Sequence, residues 1–237
     1  MPQGYTWLYI HGLSREGVEG SLREGVVRRE TGASTTSGLV RVKSHPTRER
    51  LIETMVTLLD QKPPEKINVD EVLLLSGISK GSLYHHFDDF SDLLEVTYLR
   101  RFTAYVDFST AAISDALVNS RTREELLDTL KDITRRTNSP DLLPIRLERI
   151  RTIGLAGGNQ RFKARLAVEQ QRLTDAISDL VREGQSKGWL KASFDPQAVA
   201  VFIQAYTFGR VLDEISERPV DIEKWLFLID SVADTAL

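Results

Sequence analysis

Residues 68–95, NVDEVLLLSGISKGSLYHHFDDFSDLLE, determine how this 237-residue chain is organised. Asn68 is a favoured N-cap residue, and Glu71, three positions later, is placed to reach back and complete a capping box. Gly77 can adopt the left-handed conformation that closes a helix. The pattern predicts a short helix whose apolar positions are Val69, Val72 and Leu73.

A second short helix follows directly after the glycine turn. Ser79 is a suitable N-cap, and Leu83 and Phe87 share one helical face because they are four residues apart. The remaining faces carry polar and aromatic side chains: Lys80, Ser82, Tyr84, His85 and His86. A short helix held by the preceding one, with a polar and aromatic outer face, is typical of a helix-turn-helix.

The run GISKGSLYHHF, followed by a capped helix beginning FSDLLE, resembles the TetR/AcrR family of bacterial transcriptional regulators. The likeness covers residues 47–100, and the rest of the chain resembles the family only in being helical. It implies an all-α fold, with an N-terminal three-helix DNA-binding domain followed by a helical ligand-binding and dimerisation domain. It also implies a repressor that a small-molecule ligand releases from a palindromic double-stranded DNA operator.

The resemblance also assigns roles to individual residues. Lys80 and Tyr84 are candidates for contact with or near the bases, and Ser82, Tyr84 and His85 for contact with phosphate. Thr47 matches a phosphate-binding position at the start of the first helix. Tyr84 and His85 have the alternative of being surface residues without a DNA role. Phe90 stands where related proteins often carry a phosphate-binding lysine, so Phe90→Lys is expected to strengthen DNA binding unless Phe90 packs beneath the reading helix.

Charge gives the DNA interpretation no support. Between Arg41 and Arg101 there are nine Lys or Arg residues and ten Asp or Glu residues, which leaves a net charge of about −1. DNA-binding domains usually carry a basic surface. The rival hypothesis is therefore a helical protein-interaction module whose helix-turn-helix no longer reads DNA.

Three segments are predicted: a flexible N-terminal extension (1–45), the helix-turn-helix domain (46–100) and the ligand-binding and dimerisation domain (101–237). The extension is rich in Gly, Ser and Thr. It is interpreted as a disordered tail, with a phosphate-contacting arm as the alternative. The chain has no cysteine, no apolar run near the roughly 20 residues that a membrane span requires, and no signal-peptide pattern. A cytoplasmic protein with no membrane partner is expected.

Beyond residue 101 the pattern predicts only helices. In the helix predicted from Leu142 to about Leu155, buried aliphatic residues are expected to alternate with arginines. The resemblance implies a small-molecule pocket, for which the candidate lining residues are Phe102, Phe108, Phe162, Tyr206 and Phe208. The effector itself is not indicated.

Two C-terminal helices are predicted, capped by Asp195 and Asp221. They carry apolar side chains on more than one face, so packing within a single protomer is not expected to bury all of them. A two-fold homodimer built from both helices is expected, and internal core packing is the alternative. The candidate interface residues are Phe202, Tyr206, Trp225 and Ile229.

No catalytic residues are predicted. The sequence lacks HExxH, a phosphate loop and G-x-S-x-G, and its four histidines do not form a metal-binding pattern. Neither a metal nor another cofactor is expected, and the protein is not predicted to be an enzyme.

Overall fold

The computed structural model describes residues 45–236, and in that range the chain is all-helical, as predicted. The helices are α1 (Pro46–Gln61), α2 (Val69–Ser76), α3 (Lys80–His86), α4 (Phe90–Asn119), α5 (Arg123–Thr137), α6 (Leu143–Ala156), α7 (Gln160–Ser186), α8 (Pro196–Glu214) and α9 (Ile222–Ala236). Short 3-10 turns occur at Pro64–Lys66 and Pro140–Leu142. The predicted N-terminal extension lies outside the described residues except for its last one.

Helix ends follow local chemistry. Helix α1 stops before Pro63 and Pro64, which cannot continue the hydrogen-bond ladder. Asp195 caps α8 by accepting a hydrogen bond from the Ala198 N–H at 2.8 Å, and Asp221 accepts from the Glu223 N–H at 3.0 Å at the start of α9. These caps were all predicted from the sequence.

The chain forms two compact units that divide between Thr97 and Tyr98, within α4. The first unit contains α1, α2, α3 and the first turns of α4. These helices converge on one apolar core: Leu51, Ile52, Met55, Leu58, Ile67, Val72, Leu83, Phe87 and Leu93. Burial of these side chains fixes α2 and α3 against α1, because no single short helix could be stable alone.

The second unit contains the remainder of α4 and α5 to α9. Helix α7 packs along α8, α6 contacts both, and α9 packs against α5. One core cluster comprises Ala116, Leu126, Leu127, Leu180, Val181 and Leu190. In residues 45–236, none of the helices is both long and apolar enough to cross a membrane.

The prediction for α6 was wrong about which side chains are buried. Arg146 and Arg149 are only 2% and 5% exposed, whereas Leu147 is 43% exposed and Ile153 is 42% exposed. Arg146 is buried because its guanidinium group donates to the carbonyls of Thr137 and Ser139 and pairs with Glu214. These polar contacts orient α6 so that its arginines point inward and several of its aliphatic side chains point outward.

Candidate nucleic-acid interface and ligand cavity

The glycine turn between α2 and α3 has the geometry that the sequence indicated. Gly77 has a φ of 65°, and its N–H donates to the Leu73 carbonyl at 3.0 Å. Asn68 caps α2 by accepting from the Glu71 N–H at 2.9 Å. The predicted capping box is wrong, however, because the Glu71 carboxylate pairs with Lys62 at 2.5 Å instead.

Helix α3 is held by its inner face. Ser79 caps it by accepting from the Ser82 N–H at 3.2 Å, while Leu83 is fully buried and Phe87 is almost fully buried. The Arg48 guanidinium lies over the Phe87 ring, 5.3 Å from its centre. Because Leu83 and Phe87 fix the rotation of α3, the side chains on its opposite face remain at the surface.

The residues predicted to contact DNA lie at or near the surface. Lys80, Tyr84 and His85 are exposed, with Tyr84 at 45%. Ser82 is half-buried, and its hydroxyl accepts a hydrogen bond from the Ser79 hydroxyl at 3.1 Å. Thr47 is half-buried in the first turn of α1, where its N–H donates to His45 Nδ1 at 3.3 Å.

The start of α1 meets the end of α3. The His45 and His86 rings are 4.8 Å apart, and the His85 and His86 rings are 5.1 Å apart. Burial lowers the pKa of His86, and the nearby His45, His85 and Arg48 lower it further. This contact brings the Thr47 end of α1 to the Tyr84 and His85 end of α3.

One basic residue beside the turn was missed by the sequence analysis. Arg50 is exposed, and its Nη2 atom lies 3.8 Å from the position that a Cβ atom on Gly77 would occupy. Nothing in the sequence indicates this proximity, because the two residues come from different helices. Only the packing of α1 against the turn shows it.

Phe90 packs against the core of the first unit. This position favours the packing role over a site for a phosphate-binding lysine. Asp89 caps α4 by accepting a hydrogen bond from the Asp92 N–H at 2.8 Å. A lysine in place of Phe90 would therefore remove apolar contacts, and the expected gain in DNA binding is not favoured.

A cavity of about 430 Å³ lies within the second unit. Helices α4 to α9 and the segment between α7 and α8 all contribute to its walls. Of the five predicted lining residues, only Phe108 and Tyr206 reach it. Phe102 and Phe162 are instead buried core residues, and Phe208 packs with its ring centre 4.5 Å from the Arg149 guanidinium. Aromatic residues on helices more often fill a core than line a pocket, which explains these errors.

The predicted interface residues on α9 face inward. The Trp225 indole N–H donates to the Asn138 side-chain oxygen at 3.1 Å, and Ile229 is buried and lines the cavity. Tyr206 is also internal, since its hydroxyl lies 3.2 Å from the Thr134 hydroxyl and burial raises its pKa. Phe202 lines the cavity but is half exposed. These inward contacts argue against Trp225, Ile229 and Tyr206 as the main outward contacts of a dimer.

Other apolar side chains on these two helices do face outward. We call this set the outer stripe: Val201 and Leu212 on α8, Ile215 directly after α8, and Phe227 and Leu228 on α9. Phe227 is 75% exposed. The sequence could not separate the outer stripe from the inner face, because apolar residues occur on both faces of α8 and α9.

Over the described range, residues 45–236, there is no cluster of three or more His, Cys, Asp or Glu side chains able to hold a metal ion. What the geometry offers is a helix-turn-helix with an exposed outer face and, separately, a cavity in the helical second unit.

No family model matches the chain. The nucleoid occlusion factor SlmA of Shewanella sediminis is 23% identical over 194 residues, covering 76% of this chain and 92% of that protein. Salmonella enterica GusR has a similar structure, with a TM-score of 0.58 and 20% identity over 81% of this chain and 96% of that one. A TetR-family transcriptional regulator from Rhodococcus sp., titled putative, gives a TM-score of 0.57 at 21% identity, covering 80% and 98% of the two chains.

The two solved structures match this chain over about four-fifths of its length, which confirms the resemblance inferred from residues 47–100. The chain has the fold of the TetR-family transcriptional regulators.

Proposed function

We propose that the protein is a DNA-binding transcriptional regulator, a repressor that acts as a homodimer and is released from its operator by a small molecule. Residues 46–100 would read DNA, and residues 101–237 would dimerise and bind the ligand. One observation carries the proposal. The inner face of α3 is packed into the core through Leu83 and Phe87, which leaves the polar outer face exposed to solvent. Several solved structures with a similar fold are described as TetR-family transcriptional regulators, which supports regulation rather than catalysis.

Helix α3 would lie in a major groove, as the second helix of a helix-turn-helix does. Lys80 and Tyr84 would contact base edges or sugars, and Ser82, Tyr84 and His85 would contact phosphate, which sets the register. Thr47, at the start of α1, would contact the backbone on the same side. Arg48 lies over the Phe87 ring and Arg50 lies beside the Gly77 turn, so both place positive charge near this face in a domain whose net charge is about −1.

A homodimer would form through the outer stripe. Exposed apolar patches of this kind mark association sites, and both helices present theirs together with buried inner faces. An isologous contact between two copies would place two copies of α3 for the two halves of a palindromic operator. The proposal thus keeps the predicted dimer but assigns it to Leu212 and Phe227 rather than to Trp225 and Ile229.

The cavity in the second unit is the proposed effector site. Its volume of about 430 Å³ falls within the range of small-molecule pockets. A ligand that binds the DNA-free conformation better than the DNA-bound one would release the protein from the operator. A regulator that binds DNA in a bacterial cell would act in the cytoplasm.

The test is selection of DNA by the full-length protein from a random duplex pool. We expect enrichment of a palindromic sequence whose half-sites are spaced by about one helical turn or a multiple of it. A protein with Lys80→Ala and Tyr84→Ala together should enrich nothing, although it remains folded by circular dichroism. Failure of the wild-type protein to enrich any sequence would contradict the proposal and favour the protein-interaction module.

A further inference from the structure

Arg149 occupies an unusual position in the wall of the cavity. It lies on α6, is nine-tenths buried or more, and lines the cavity directly. Its guanidinium carbon lies 3.9 Å from the centre of the Tyr105 ring and 4.5 Å from that of Phe208. The Phe102 ring centre is 5.7 Å away. The cation is thus surrounded by aromatic rings at one end of the cavity.

Within residues 45–236, no carboxylate forms an ion pair with this guanidinium group, and its Nε atom has no hydrogen-bond partner. The nearby Tyr105 hydroxyl raises the pKa of Arg149, but a phenol is neutral at physiological pH and supplies no opposite charge. Burial lowers the pKa of Arg149, which reflects the cost of keeping this charge away from water. An arginine nevertheless stays protonated in proteins, so the positive charge remains in the wall.

The other two buried arginines of the same unit provide an internal comparison. Arg146 pairs with Glu214, and Arg210 pairs with Asp213 at 2.5 Å. Among the described residues of this unit, Arg146 and Arg210 thus each have a carboxylate partner, whereas Arg149, which faces the cavity, has none. A buried guanidinium group without a carboxylate partner is what a site for an anionic ligand requires.

Away from Arg149 the cavity becomes apolar. Tyr105 and Ile113 both line it from α4, and their separation of eight residues corresponds to about 12 Å along the helix. The far end is formed by Ile113, Leu180, Val181 and Leu190. Two charged groups of the remaining wall already have partners: Asp195 caps α8, and Lys131 pairs with Asp234. Asp230 lies near Lys131 and Tyr206.

We propose that the effector is an amphiphilic monoanion, whose carboxylate binds Arg149 and Tyr105 and whose apolar body of about 12 Å extends towards Val181 and Leu190. This inference rests on the proposed role of the cavity as the effector site. The aromatic rings alone offer a competing account, since a guanidinium group can be stabilised by stacking on them. If stacking sufficed, the cavity would have no preference for a negative head group.

The experiment measures binding of three probes with the same ten-carbon tail to the full-length protein by calorimetry: decanoate, 1-decanol and decyltrimethylammonium. A charge-assisted hydrogen bond in a buried site should make decanoate bind about 10- to 100-fold more tightly than 1-decanol. Decyltrimethylammonium should bind most weakly, because it would place a second cation beside Arg149. Equal affinities for decanoate and 1-decanol would overturn the inference without any mutation.

Arg149→Gln should remove the preference for decanoate while changing the affinity for 1-decanol by less than about threefold. Arg135→Gln is the matched control, since it removes the same charge from an exposed side chain of the same unit. The control should retain the wild-type selectivity. A folded Arg149→Gln protein that still prefers decanoate would overturn the inference, and if this variant does not fold, the three-probe comparison on the wild type decides.

Affinity for DNA is measured separately, without probe. If the wild-type protein does not bind DNA, the proposed function is contradicted, but a measured preference for decanoate would still support the anion inference. Equal binding of the three probes by a protein that still selects a palindrome would contradict only the anion inference.

Discussion

The two units differ in where they keep their polar side chains. In the first unit the described polar residues with full burial are Ser76 and Thr97, and each bonds a carbonyl of its own helix. Lys80, Tyr84 and His85 lie outside on α3. The second unit instead buries Arg146, Arg149 and Arg210.

The comparison shows how the same all-helical architecture can serve two purposes. An apolar core with polar groups outside leaves the first unit's surface available to a charged partner. Buried charges make the second unit depend on specific pairs, because each charge withheld from water needs a partner. Substitutions of exposed polar residues in the first unit should therefore affect binding more than folding. Substitutions of the second unit's buried charged residues should affect folding more than binding.

The largest expected effect comes from Glu214→Ala. Glu214 pairs with buried Arg146, and its Oε1 atom lies 3.7 Å from Arg210 Nε. Removing one partner of a buried pair costs about 3–5 kcal/mol of unfolding free energy. Urea unfolding followed by tryptophan fluorescence should detect this, since Trp189 and Trp225 both lie in the second unit.

Asp179→Ala is the control for this substitution. It breaks the exposed pair between Asp179 and Arg182, which should change stability by no more than about 0.5 kcal/mol. Equal losses in the two variants would mean that the buried charges do not hold the second unit together.

A pair of substitutions on α9 separates the inner face from the outer stripe. Trp225→Glu removes the indole bond to fully buried Asn138 and inserts a charge, so it should cost about 2–4 kcal/mol of unfolding free energy. Phe227→Glu changes an exposed side chain, so it should leave the fold intact. It should nevertheless dissociate the dimer, and sedimentation should then give the mass of a monomer. A Phe227→Glu protein that sediments as a dimer would show that the outer stripe is not the interface.

Tyr84→Ala tests the first unit. Loss of about 1 kcal/mol per half-site would weaken operator binding by a dimer roughly 30-fold, measured by fluorescence anisotropy. The melting temperature should barely change, because the side chain is already 45% exposed. Leu74→Ala, an exposed apolar change on α2, should alter neither quantity. A large drop in melting temperature for Tyr84→Ala would remove the contrast between the two units.

The smallest expected effect concerns pH. The pKa of His86 is lowered in the folded protein, so the unfolded chain binds this proton more readily. Stability should therefore fall as the pH decreases below the unfolded value of about 6.5, and this contribution should be absent at higher pH. Urea unfolding at pH 5.5 and 7.5 should show a smaller difference for His86→Gln than for the wild type. An identical difference in both proteins would exclude His86 as its source.

Some of these features follow from the sequence alone. Each of them depends on residues that are close together in the chain. This applies to the helix positions, to the turn at Gly77 and to the caps at Asn68, Ser79, Asp195 and Asp221. Such local signals predicted the helix-turn-helix and the all-α fold. Burial of Leu83 and Phe87 also followed, since their spacing leaves only one common face.

Only the tertiary structure determined which faces of the later helices point inward. Arg146 and Arg149 are buried because Glu214, two backbone carbonyls and three aromatic rings from other segments surround them. Trp225 points inward because Asn138, 87 positions earlier, accepts its indole N–H. Periodicity records where apolar residues lie on one helix, but the free energy that orients the helix comes from partners distant in the chain. The cavity and its unpaired arginine are therefore properties of the assembled unit.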